Sequence, residues 1–274
     1  MSNDFEKFIT AYLSSQITLV YRFDTMMPVN AETTIVLITG ANQGIGYYTA
    51  KQLASEQSNY HIIMGGRNRE TIQKAAAELH SQGLSVEPLL IDVNSDESIA
   101  NAAKEVDEKY GRLDVLINNA GITQRNINPE GKSRRMIMQA VYDTNVFGAY
   151  ETTEAFAPLL SKSTKTPRII FISSSVGSLQ MRTDPATPTR KIPFAEYPSS
   201  KAALNMLCLH YAVKYEKEGW KVNSCCPGHC KTNLNSFTAG QPPEIGAKNA
   251  CRLATLGKDG ETGTFSDNSG PLPW

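Results

Sequence analysis

A single doubly wound α/β domain, a parallel sheet with helices on both faces, is predicted for this 274-residue chain by three observations. From Thr33 onward, short β-branched runs alternate with longer runs whose apolar residues recur at helical spacing. No Pro/Gly-rich linker divides these runs into two cores. The first short run also ends in a glycine-rich loop that leads directly into a helical pattern. Strand–helix alternation of this kind pairs strands in parallel through right-handed crossovers. Ligands then bind outside the carboxyl ends of the strands.

Each element follows from its own pattern. Residues 34–39 are apolar and β-branched on both faces, as a strand buried between two helical layers requires. Residues 44–56 form the first amphipathic helix, and residues 61–64 the second strand. Residues 70–81 form the second helix, which stops before Gly83 because glycine tolerates the left-handed turn that ends a helix. Strands over 86–91 and 114–117 flank a helix over 96–110. A long helical stretch over 134–160 precedes a strand over 168–172, and another over 199–218 precedes a strand over 220–223. A helix over 243–256 and a short strand over 264–265 complete about seven strands. Residues 33–274 are therefore expected to be the domain. Residues 1–32 are expected to be an extension, with Phe5, Phe8, Ile9, Tyr12 and Leu13 spaced as on one helical face.

Composition excludes several function classes. Hydrophobic residues at 41% and charged residues at 20% supply enough apolar material for a core, against disorder. Lys+Arg and Asp+Glu balance at 27 each, so no global field favours nucleic acid or an anionic membrane. No apolar run reaches the roughly 18 residues of a membrane span. The five cysteines (Cys208, Cys225, Cys226, Cys230, Cys251) are odd in number and crowded together, unlike a disulfide framework. Asp4 and Glu6 near the start argue against a secretory or mitochondrial leader, so the expected compartment is the cytoplasm.

The loop Thr39-Gly40-Ala41-Asn42-Gln43-Gly44-Ile45-Gly46 follows the first strand and opens the first helix. Glycines there let the backbone approach a pyrophosphate, and the helix N-terminus offers free N–H groups and a positive dipole end. Further along, Asn118-Asn119-Ala120-Gly121 ends the fourth strand, and Asn145 sits in Asp143-Thr144-Asn145-Val146-Phe147-Gly148. Ile172-Ser173-Ser174-Ser175-Val176-Gly177 ends the fifth strand, Tyr197 and Lys201 stand four apart, and Pro227-Gly228 precedes Thr232. Six motifs in this order, over residues 33 to 232, resemble those of the short-chain dehydrogenases/reductases. The resemblance implies a Rossmann fold, a nicotinamide cofactor, a small-molecule carbonyl or alcohol substrate, and a homodimer or homotetramer.

Residues four apart on a helix share a face, so Tyr197 and Lys201 can serve one site. A phenol titrates near 10, too high for acid–base work at neutrality, and a neighbouring ammonium should lower it. Tyr197 would then donate a proton to a carbonyl oxygen as hydride arrives at carbon. Strand alternation turns Ser173 and Ser175 together and Ser174 oppositely, leaving either set open. The family register selects Ser174 for the substrate oxygen. The resemblance also gives Asn145 a place in a proton relay with Lys201, against the plainer reading of a core asparagine.

The cofactor bed implied by the resemblance comprises Gly40, Asn42, Gln43, Gly44, Ile45 and Gly46 in the loop. Arg67 and Asn68 follow the second strand, Asp92 and Val93 the third, and Asn119, Ala120 and Gly121 the fourth. Tyr197, Lys201, Pro227, Gly228 and Thr232 complete it. An acid after the second strand would suit the ribose hydroxyls of NAD. Met64-Gly65-Gly66-Arg67-Asn68 instead offers an arginine, whose planar fork matches a phosphate, and so favours NADP(H) over NAD(H). Cys225, Cys226, His229 and Cys230 lack the second half of a zinc motif, and no metal is expected. The connection from Ser174 to Tyr197 is about ten residues longer than is usual in the family. Its extra part, residues 179–192, is either a solvated loop or a wall of the substrate pocket. The expected activity is NADPH-dependent reduction of a ketone or aldehyde. A non-redox enzyme on this scaffold (an epimerase, dehydratase or cyclase) and a cofactor-binding regulator without turnover are the alternatives.

Overall fold

The computed structural model describes residues 29–274; the helical face expected over residues 5–13 lies outside them. In chain order the elements are β1 (Thr34–Ile38), α1 (Gly44–Glu56), β2 (Tyr60–Gly66), α2 (Arg69–His80), β3 (Val86–Leu90), α3 (Asp96–Tyr110) and β4 (Val115–Asn118). These are followed by α4 (Arg134–Tyr142), α5 (Gly148–Leu160), β5 (Arg168–Ile172), α6 (Leu179–Thr183), α7 (Glu196–Lys214), β6 (Lys221–Cys225), α8 (Pro243–Ala254), β7 (Phe265–Asp267) and β8 (Gly270–Pro271).

The strands form one sheet in the order β3-β2-β1-β4-β5-β6-β7-β8. Every neighbouring pair is parallel except β7 with β8, which is antiparallel. The order reverses at β1, between β2 and β4, and the carboxyl ends there open the crevice in which a doubly wound sheet binds its ligand. Residues of β1 alternate between two cores. Ile35 and Leu37 face a cluster with Phe156, Tyr211 and Trp220, while Val36 and Ile38 face one with Tyr47, Leu53 and Ile72. Two-sided burial explains why the strand reads as a continuous apolar run.

Three differences from the sequence expectation have physical reasons. Among the described residues the sheet has eight strands, because two residues after a turn at Asn268 and Ser269 pair back onto β7; a segment so short carries no periodicity. The helical stretch 134–160 is interrupted by a π-helical segment, Asp143–Phe147, which separates α4 from α5. Helix α7 begins at Glu196, ahead of residue 199, because Pro198 lies in its first turn, where the missing N–H has no intrahelical acceptor to lose.

The end of the sheet remote from the crevice is closed by buried acids. Asp114 is fully buried, accepting from Ile35 N at 2.8 Å and from Ser163 Oγ at 2.5 Å. On the edge strand β3, Glu87 points inward onto Lys109, Tyr110 and His61, with the Tyr110 hydroxyl 2.5 Å from Oε1. Burial pushes the Glu87 carboxyl up, but hydrogen bonds from His61, Lys109 and Tyr110 outweigh it and carry the group down to about 2. A depressed carboxyl contributes stability that is complete above its unfolded value and is lost as pH falls toward its folded one. Glu87→Gln should therefore flatten the acid limb. Denaturant unfolding between about pH 6 and about pH 3 should show the parent losing on the order of 2 kcal/mol more than the variant. Equal losses would exclude Glu87 as the acid-sensitive group.

Candidate active site

The cleft above the carboxyl ends of the strands has a volume of about 480 Å³. It is lined by Gly40, Asn42, Gln43, Gly44 and Ile45 from the β1–α1 loop, Arg67 after β2, Asp92 and Val93 after β3, and Asn119, Ala120 and Gly121 after β4. Tyr197, Lys201, Pro227 and Thr232 line the same cleft.

The glycine loop is held from behind. Thr39 Oγ1 accepts from the backbone N–H groups of Asn119 and Ala120 at 3.1 and 3.0 Å. The Asn119 amide donates to the carbonyls of Thr39 and Gly40 at 2.8 and 3.0 Å. Gly40 has φ +63, and a Cβ there would lie 3.0 Å from the Cα of Ala120. Gly46 is beneath the loop, where a Cβ would stand 2.7 Å from the Gly40 carbonyl oxygen and closer still to the Asn119 amide. The N-terminus of α1 has no side-chain cap and no acid in its first turn. Its free N–H groups and positive dipole end are therefore open to an anion. An uncapped helix start behind a close-packed glycine loop fits a dinucleotide pyrophosphate.

Helix α7 supplies Tyr197 and Lys201 from adjacent turns. Lys201 is 3% exposed; its Nζ donates to the Ile172 carbonyl oxygen at 2.7 Å and lies 5.6 Å from the centre of the Tyr197 ring. Burial lowers the Lys201 ammonium to about 8, opposed by the nearby Cys226. Tyr197 departs from the sequence argument, which expects an ammonium to lower the phenol. Burial, with the nearby Cys226, pushes it above its ordinary value, and a hydrogen bond with Ser174 opposes them. Desolvation of the phenolate is the largest of these causes.

The three serines have distinct surroundings. Ser173 is buried against α7, donating to Asn205 Oδ1 at 2.6 Å. Ser174 pairs with the Tyr197 side chain, and its Oγ also accepts weakly from Val176 N at 3.4 Å. The Ser175 N–H donates to Cys226 Sγ at 3.2 Å, tying the corner to the end of β6. Asn145 lies in the π-helical segment and is fully buried. It accepts from Ile122 N at 2.8 Å and donates to Ile122 O at 2.9 Å and Ser200 Oγ at 3.0 Å. A Cβ on Gly121 would be 3.3 Å from Asn145 Oδ1 and 3.5 Å from Lys201 Nζ, so these two groups flank the glycine.

Several expected residues lie off the cleft lining. Asn68 caps α2, its Oδ1 accepting from Thr71 N at 2.9 Å, a bond that does not engage the side-chain NH2. Gly228 shapes the turn with φ +74, while Pro227 O accepts from Gln241 at 2.9 Å. Cys230 donates to that same carbonyl, and among the described residues no three His, Cys, Asp or Glu side chains are grouped to hold a metal. Residues 179–192 fold onto themselves, with Arg182 donating to Thr189 O and Ile192 O at 3.0 Å each; their side chains do not line the cleft. Sequence reasoning passed over Asn94, Ile122, Asn126 and Thr144, which do line it. It also gave no role to Thr39, although the threonine opens the glycine motif.

A family model described as short chain dehydrogenase matches residues 34–241. A short-chain dehydrogenase/reductase, ATR10, of Stachybotrys chlorohalonatus is 39% identical over 266 residues, covering 88% of this chain and 94% of that protein. Carbonyl reductase [NADPH] 1 of Rattus norvegicus is 25% identical, covering 89% of this chain and all of its own. The structure of NADPH-bound carbonyl reductase from chicken fatty liver superposes with a TM-score of 0.75 at 27% identity, over 89% of this chain and 100% of the other.

The packing beneath the loop makes Gly46 a direct probe. Gly46→Ala should raise the dissociation constant for a reduced nicotinamide dinucleotide, read by fluorescence titration, by about tenfold or more, given the 1–3 kcal/mol typical of overpacking. Unchanged affinity would show that the loop yields without losing its shape.

Proposed function

The chain belongs to the short-chain dehydrogenase family, and we propose that it reduces a ketone or aldehyde to the alcohol with NADPH. The carrying observation is one arrangement: Tyr197 and Lys201 line the cleft that the glycine loop borders, the Lys201 ammonium 5.6 Å from the Tyr197 ring and Ser174 hydrogen-bonded to the Tyr197 side chain. The bound nicotinamide would supply hydride to the carbonyl carbon. The residues of the chain would do the rest. Ser174 holds the carbonyl oxygen, and Tyr197, kept in its protonated form by burial, donates the proton as charge develops there. The Lys201 ammonium stabilises the phenolate left behind and, with its lowered value, is able to return a proton. Asn145 fixes the 121–122 turn beside Lys201 and so sets the start of the relay.

NADP(H) is favoured by the end of β2. The end of β2 carries Gly66 and no carboxylate, and the exposed Arg67 follows it at the cleft edge. A guanidinium there pairs with a ribose phosphate.

Three measurements test this reading. Absorbance of NADPH against a panel of ketones, aldehydes and quinones should show turnover that Tyr197→Phe lowers by about a thousandfold or more with cofactor affinity nearly unchanged. Substantial residual turnover would assign the proton to another group. Arg67→Glu should move the ratio of kcat/KM values from NADPH toward NADH, and identical constants for both cofactors would remove the phosphate argument. Because the lysine must carry its proton, carbonyl reduction should decline as pH rises through about 8. Lys201→Met should lower the rate and abolish that limb; a limb that persists in the variant would belong to a different group.

A further inference from the structure

Resting on the carbonyl-reductase reading of this cleft, we propose that Arg125 selects substrates that carry a carboxylate besides the reacting carbonyl. The residue lies in the 3-10 turn Gln124–Asn126, directly after the strand end that carries Gly121. This turn is held firmly. Asn145 grips both backbone groups of Ile122, and Thr123 and Asn126 cap the turn reciprocally. Asn126 lines the cleft and reaches Asn233 O, at 3.5 Å, on the segment that borders the far side of the mouth.

Arg125 is exposed, and its guanidinium stands 5.7 Å over the ring of Phe194, three residues ahead of Tyr197. An aromatic face fixes the position of a cation without consuming its N–H donors, which stay available to an oxyanion. No described carboxylate is paired with it. Three other arginines are committed elsewhere: Arg182 to two loop carbonyls, Arg112 to Asp114 and Arg252 to Glu261. The charge of the rim agrees. Segments 122–133 and 227–241, on either side of the cleft, together hold three Lys and Arg (Arg125, Lys132 and Lys231) against one acid (Glu130), in a chain whose formal net charge is zero. Such a local excess raises the concentration of anions at the mouth, and the fixed guanidinium provides the bidentate contact that orients one.

The test uses the matched pair 4-carboxybenzaldehyde and methyl 4-formylbenzoate with NADPH. The parent enzyme should favour the acid by about tenfold in kcat/KM, less so at high salt. Arg125→Gln should bring the two substrates level by lowering the acid alone, the unchanged ester reporting an intact site. Arg125→Lys should retain part of the preference. Equal rates for acid and ester in the parent, or a preference that survives Arg125→Gln, would overturn the assignment. Absence of turnover with both aldehydes would count against the reductase reading alone, because binding reports separately. Calorimetric binding of 4-(hydroxymethyl)benzoate to the NADPH-loaded protein should weaken about tenfold in Arg125→Gln, and equal affinity would overturn the role of Arg125.

Discussion

Lys201 is buried at the end of the sheet with its ammonium 2.7 Å from the Ile172 carbonyl, and the rest of the site is arranged around that bond. A buried cation without a carboxylate partner is costly, and here a backbone dipole and the phenol ring one turn away offset the cost only in part. Burial accordingly lowers the ammonium to about 8. The bond also draws α7 onto the end of β5. That apposition brings Tyr197 against Ser174 and puts Gly177 under the backbone of α7, where a Cβ would lie 2.7 Å from the Lys201 carbonyl carbon.

The second half of the cleft is organised by a different device. Thr39 and Asn119 join the ends of β1 and β4 through four hydrogen bonds, so the glycine loop is supported by the neighbouring strand rather than by its own side chains. The crossing point of the sheet and the shape of the loop are thereby linked. The two halves meet at Gly121, which Asn145 and Lys201 flank from opposite elements. The walls outside the cleft are different in character: the segment after Ser174 is stapled by Arg182 and ends at Phe194 under Arg125.

The alternation of buried strands and amphipathic helices was legible because both patterns are local and periodic, and β1 is the plainest case. Gly40 and Gly46 were legible as well, since their requirement is a missing side chain. What pattern alone could not supply was commitment between distant residues. Thr39, at the end of β1, accepts from the backbone N–H groups of Asn119 and Ala120, a tie that no local pattern shows. The sign of the Tyr197 shift was also out of reach, because it depends on how deeply the phenol is buried and not on the lysine four residues away. The strand β8 and the π-helical segment around Asn145 are set by tertiary pairing over a few residues, below the length at which periodicity speaks.

The central claim is that the Lys201 ammonium is held in the cleft by Ile172 beside the Tyr197 ring, and not in solvent. Nitrogen-15 NMR of the lysine side chains, with Lys201 assigned by its loss in a Lys201→Arg protein, measures this directly. The account predicts one lysine resonance titrating near 8, well below the ordinary lysine value of about 10.4. Titration of that resonance together with the surface lysines would place the ammonium in water and contradict it.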